Sequence, residues 1–101
     1  MGTVSSPISG RALPRWGRDE RTLWRGGPGS FVVVLGPADA EPRSLRGTGA
    51  ALWATLDRPR TVEEIATRLA TEFDADPDVV RSDVEPVIAQ LADVGAIRVV
   101  P

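Results

Sequence analysis

The chain has 101 residues, a formal net charge of −2, 42% hydrophobic and 26% charged residues. That is enough for one domain with one modest core, and it gives no electrostatic pull toward nucleic acid or anionic membrane. Cys, His, Lys, Tyr and Asn are all absent, and all twelve cationic side chains are Arg. This composition excludes disulfides, zinc sites, Schiff bases and most proton-transfer pairs. The adjacent Glu63 and Glu64 read as first-turn residues favoured by a helix dipole, not as a catalytic pair. No apolar run approaches 18 residues and no signal-peptide core opens the chain. The expectation is a cytoplasmic, non-catalytic chain with no membrane partner, cofactor or metal.

Residues 1–12 are small and polar without periodicity and are expected to form a disordered arm; the domain is expected at 13–101. Strand character follows. Arg21-Thr22-Leu23-Trp24-Arg25 alternates, Gly26 to Gly29 is a turn cluster, and Phe31 to Leu35 is a β-branched run, so a hairpin is predicted. A third strand is predicted over Pro42–Arg46, at a sheet edge because Pro42 has no N–H. Trp16 has no regular element around it, and is expected either to staple the arm to the domain or to meet a partner.

After Gly47 the period becomes helical. Ala50, Leu52, Trp53 and Leu56 suit a short helix capped by Thr48, with Trp53 in the core and Trp24 half-buried. Thr61-Val62-Glu63-Glu64 is a capping box, followed by Val62, Ile65, Ala66, Leu69 and Phe73 on one face. Asp76-Pro77 supplies an N-cap and an N1 proline for a third helix, whose apolar face is Val80, Val84, Val87, Ile88 and Leu91. Pro86 predicts a kink there, and Ser82 to Glu85 could restart the helix. Gly95 is placed for a C′ cap, and Ile97–Val100 for a last short strand. The fold class that follows is α+β: a three-stranded antiparallel sheet packed on three helices, winged-helix-like.

Two functional classes fit such an outline. A winged-helix transcription regulator would need cations on its reading helix, but the third helix carries Asp78, Asp83, Glu85 and Asp93 against Arg81 alone. A peptide groove would need a free edge strand beside an apolar helix, so that an added strand gains backbone bonds and pockets. Pro42, Arg43 and Arg46 also fit an edge that is simply blunted against pairing. The residues alone leave those two readings of the edge open.

The segment Leu45-Arg46-Gly47-Thr48-Gly49-Ala50-Ala51-Leu52-Trp53 resembles the PqqD-like family, the RiPP recognition elements of ribosomally made, modified peptides. Pro59-Arg60-Thr61-Val62-Glu63-Glu64-Ile65 is similar to that family's second helix start. Leu69, Phe73-Asp74, Asp83-Val84, Leu91 and Gly95-Ala96-Ile97 continue it in register, from about Pro14 to Val100. The stretch Glu41 to Ser44 is more polar than is usual there.

The resemblance implies a free-standing peptide chaperone. It would bind the leader of a precursor peptide as a strand beside the third strand, in a cleft walled by the third helix. It would then present the leader to a peptide-modifying enzyme or leader peptidase. By position, the strand contacts are Arg43, Ser44, Leu45 and Arg46, and the wall includes Val80, Arg81, Asp83, Val84 and Val87. Arginines 21, 25, 43 and 46 near the sheet would favour an acidic leader. No nucleic acid is expected as a partner, and the chain would be a monomer or, since a free edge can pair with itself, a weak homodimer.

Overall fold

The computed structural model describes residues 13–26 and 31–101. The arm expected at 1–12 and the turn expected around 27–29 lie outside the described residues. In chain order the elements are β1 (Arg15–Arg18), β2 (Leu23–Gly26), β3 (Phe31–Leu35) and β4 (Arg43–Arg46). They continue as α1 (Thr48–Thr55), α2 (Val62–Phe73), α3 (Pro77–Asp93) and β5 (Ile97–Val100). Strands β2, β3 and β4 form an antiparallel sheet in that order, and β1 pairs antiparallel with β5 in a separate two-stranded sheet. The α+β architecture read from the sequence is the one observed.

The β-branched run of β3 alternates as a strand with one buried face must. Val32 and Val34 are buried and point to the helices, while Phe31, Val33 and Leu35 are only partly covered. Residues directly opposite on neighbouring strands share a face. Leu45 opposite Val32 and Arg43 opposite Val34 therefore lie on the helix side, and Ser44 and Arg46 on the outer side. Trp53 is fully buried and, with Leu52, Ile65, Leu69, Val84 and Leu91, centres the core between this inner face and the helices.

The helix ends follow the local chemistry. The Glu64 N–H donates to Thr61 Oγ1 at 3.1 Å and the Thr61 N–H to Glu64 Oε1 at 3.0 Å, completing the capping box. The Asp76 side chain caps α3 through the Asp78 N–H at 2.8 Å. At the other end the Ala96 N–H reaches Leu91 O and the Gly95 N–H reaches Ala92 O, a Schellman motif around Gly95 at φ 75°. Gly36, just after β3, lies so close to the C-terminal cap of α3 that a Cβ there would stand 2.6 Å from Val94 O. This contact fixes the sheet against the C-terminus of α3.

Four expectations need correction. Trp16 is not outside regular structure: it lies in β1 opposite Val99 and exchanges two backbone hydrogen bonds with Arg60. Strand β1 exists because β5, nearly the last segment of the chain, supplies its partner. Helix α3 is one continuous helix through Pro86, with no restart at Ser82. Ser82 and Pro86 are both exposed, so the carbonyl deprived of its donor faces water. Thr48 is the first residue of α1 and not its cap; Gly47 holds that position and has no side chain to offer. Phe73, read as an apolar-face residue, is 44% exposed at the end of α2.

Candidate functional site

The sheet order makes β4 a terminal strand, so one side of its backbone bonds to β3 and the other has no strand partner among the described residues. Pro42 is exposed and precedes β4, so its missing N–H removes nothing from the Arg43–Arg46 ladder. Leu45 is half-buried and packs against the core, while Arg43, Ser44 and Arg46 are exposed. Arg43 Nε donates to Asp39 Oδ2 at 2.7 Å, which neutralises it locally. Arg46 sits over the Phe31 ring, its guanidinium carbon 4.6 Å from the centroid, as an outer-face cross-strand pair. The four residues expected on the strand thus lie together along one free edge.

The expected helix wall divides differently. Val80 and Val84 are 5% and 0% exposed, so they belong to the closed core and cannot form an open wall; that part of the expectation is corrected. Arg81 is turned to α2, where its Nη1 donates to Glu63 Oε2 at 2.7 Å, with Glu85 at 3.5 Å on its other side. Each residue advances 100° around a helix. With the core at Val80, Val84, Ile88 and Leu91 and α2 on the Arg81 side, the remaining flank is Val79, Asp83, Val87 and Gln90. These follow at steps of four, four and three, one continuous stripe. Val79 is 57% exposed, Asp83 and Gln90 are exposed, and Val87 is half-buried.

Of this stripe, the residues expected from the sequence include Asp83 and Val87 but not Val79 or Gln90. Val79 and Val80 are both valines, and hydrophobic period alone admits either to the core. The signal that separates them is the charge match of Arg81 with Glu63, which becomes visible only when α2 and α3 are placed side by side.

At the opposite edge of the sheet, Arg18 is stacked against two indoles, 4.5 Å from the Trp24 centroid and 5.0 Å from that of Trp53. Its Nη2 donates to Trp53 O at 2.6 Å, and burial lowers its pKa from the usual guanidinium value while Asp57 opposes that shift. Trp24 and Trp53 meet edge to face, centroids 5.8 Å apart. Arg18 thereby ties β1 to β2 and α1, a packing role.

No group of three or more Asp or Glu side chains that could hold a metal ion occurs among the described residues. Arg81, the single cation of α3, is paired with carboxylates, so this helix offers a duplex no free positive charge. No described helix is long and apolar enough to cross a membrane.

Comparison with known proteins agrees with this fold. No curated protein matches the chain in sequence. The structure resembles the solution NMR structure of the PqqD truncation of Methylobacterium extorquens PqqCD, described as a functional and stand-alone RiPP recognition element. The TM-score is 0.66 and the identity 24%, over 83% of this chain and 88% of that one. It also resembles TbiB1, solved in complex with the TbiA(beta) leader peptide, with a TM-score of 0.70 and 20% identity over 81% of this chain and 94% of that one. The family model for coenzyme PQQ synthesis protein D (PqqD) matches residues 32–97, about two thirds of the sequence from β3 to the start of β5. The chain therefore belongs to the PqqD family.

Proposed function

We propose that this chain binds the leader of a ribosomally made precursor peptide as a strand added to β4. It holds that leader for a peptide-modifying enzyme or leader peptidase and does no covalent chemistry itself. The observation that carries this reading is the free edge of β4 in a chain of the PqqD family. The solved complex of TbiB1 with a leader peptide supports it through a shared fold. The absence of Cys, His, Lys and Tyr from the sequence supports the non-catalytic part. The site is then the Arg43–Arg46 edge on one side and Val79, Asp83 and Val87 on the other.

Ordering a disordered leader costs about 2–5 kcal/mol, offset by backbone bonds to β4 and apolar side chains seated beside Leu45. Once bound, the leader holds the adjoining core peptide near the partner enzyme at high effective concentration. The enzyme then needs little affinity of its own. No cofactor enters this scheme, and it places the chain in the cytoplasm with its precursor.

The test is hydrogen exchange of this chain with and without synthetic candidate leader peptides. Binding should slow exchange of the outward amides of β4 and leave those of β2 unchanged. Protection of β2 alone would move the site to the other edge of the sheet. Salt-sensitive duplex binding with no peptide response would sink the reading entirely.

A further inference from the structure

Charge on this molecule is segregated by layer. Strands β2 to β4 carry Arg25, Arg43 and Arg46 and no carboxylate, while α2 and α3 carry seven carboxylates against Arg68 and Arg81. Two of the four arginines near the sheet are internally neutralised, Arg21 by Asp19 at 3.0 Å and Arg43 by Asp39, while Arg25 of β2 and Arg46 of β4 have no carboxylate within ion-pair distance. Arg46 is the exception on the β4 edge. All fourteen Asp and Glu side chains of the chain fall within the described residues, and none forms an ion pair with Arg46. Its guanidinium face is occupied by Phe31, which restrains the side chain on the outer face. Stacking uses the π-face of the group and leaves its N–H fork free for a carboxylate.

We infer that Arg46 selects the bound peptide, which carries an acidic side chain opposite Arg46 and an apolar one at the adjacent position, opposite Leu45. This rests on the leader reading above and sharpens it. On an added strand the residue opposite Arg46 points to the outer face, with Cβ atoms about 4.5–5.5 Å apart, within ion-pairing reach. The next residue along the strand, in either direction of pairing, alternates to the helix side. There it meets half-buried Leu45 and the apolar surface behind it. Arg43, on the helix side and committed to Asp39, adds no second acidic requirement.

The experiment is selection of random dodecapeptides displayed on phage against the whole chain and against Arg46→Glu and Arg46→Gln, each checked for its fold by circular dichroism. Selected peptides are synthesised, their affinities measured, and their site read from β4 amide protection. The wild-type chain should enrich an Asp or Glu next to an aliphatic or aromatic residue. Arg46→Gln should weaken such peptides by about threefold and Arg46→Glu by up to about tenfold, the range expected of a cross-strand charge pair. Arg46→Glu should also enrich Lys or Arg beside the same apolar residue.

Peptides that protect β4 without an acidic preference, or a preference unchanged in Arg46→Glu, would overturn the role of Arg46 and leave the leader reading standing. Failure to select any peptide that protects β4 would overturn both.

Discussion

Arg81 of α3 and Glu63 of α2 are joined at 2.7 Å, and this pair marks which side of α3 is covered. Both side chains are about half-exposed, so the pair itself contributes little stability, on the order of 0–1 kcal/mol. Its value is orientational. It assigns one side of α3 to α2 and leaves the stripe Val79-Asp83-Val87-Gln90 outside that contact, with Val87 half-buried.

That orientation predicts opposite outcomes for two valines five residues apart. Val79→Asp alters an exposed position and should weaken leader binding tenfold or more while moving Tm by only a few degrees. Val84→Asp places a carboxylate in a fully closed core and should cost about 3–5 kcal/mol, enough to unfold much of a small domain. Thermal melts and peptide titrations of both variants check this. Equal binding by folded Val79→Asp and wild type would remove the stripe from the site.

The tryptophans should separate in the same manner. Trp53 is wholly buried and Trp24 is 47% exposed, although the two rings touch. Trp53→Ala should cost about 3–5 kcal/mol through the cavity it leaves. Trp24→Ala should cost about 1 kcal/mol, the middle of the range for point substitutions. Urea unfolding followed by fluorescence of the remaining indoles gives both values.

Gly95 supplies the third prediction. Its φ of 75° suits glycine, and a Cβ there would stand 3.2 Å from Pro37 Cγ. Gly95→Ala should lower stability by about 1–2 kcal/mol through left-handed strain, measurable in the same urea series. Because β5 begins two residues later and pairs with β1, fraying should appear first in the amides of those two strands.

The pH dependence centres on Asp19. Its carboxylate accepts from the Arg21 side chain and backbone N–H, and its pKa falls from 3.8 to about 2. A folded pKa below the unfolded one means that the group stabilises the fold above about pH 4 and loses that contribution as pH falls toward 2. Glu64 shifts in the same direction, chiefly through the Thr61 N–H and then Arg15. Tm should therefore fall between pH 4 and 2, and Asp19→Asn should flatten that decline while lowering Tm at neutral pH. An unchanged acid limb in Asp19→Asn would remove Asp19 as its source.

What could be read from the sequence is what neighbouring residues decide among themselves. The capping box at Thr61 and Glu64, the Asp76-Pro77 start of α3 and the Gly95 stop each lie within a few residues and arise from backbone groups that need partners. The alternation of β3 and the edge placement of the segment after Pro42 are equally local. The missing residue types argued against catalysis before any coordinates.

Tertiary structure decided the questions that involve distant segments. Strand β1 is four residues whose partner lies some eighty positions away, so nothing beside Trp16 announces it. The open flank of α3 depends on where α2 lies, and periodicity cannot rank Val79 against Val80 when both are apolar. Arg43 is neutralised because the β3–β4 loop brings Asp39 to it, whereas the fold brings no carboxylate within ion-pair distance of Arg46. Composition and spacing identify which groups are available, but only the packed chain decides which of them remain unpaired, because pairing depends on distance in space.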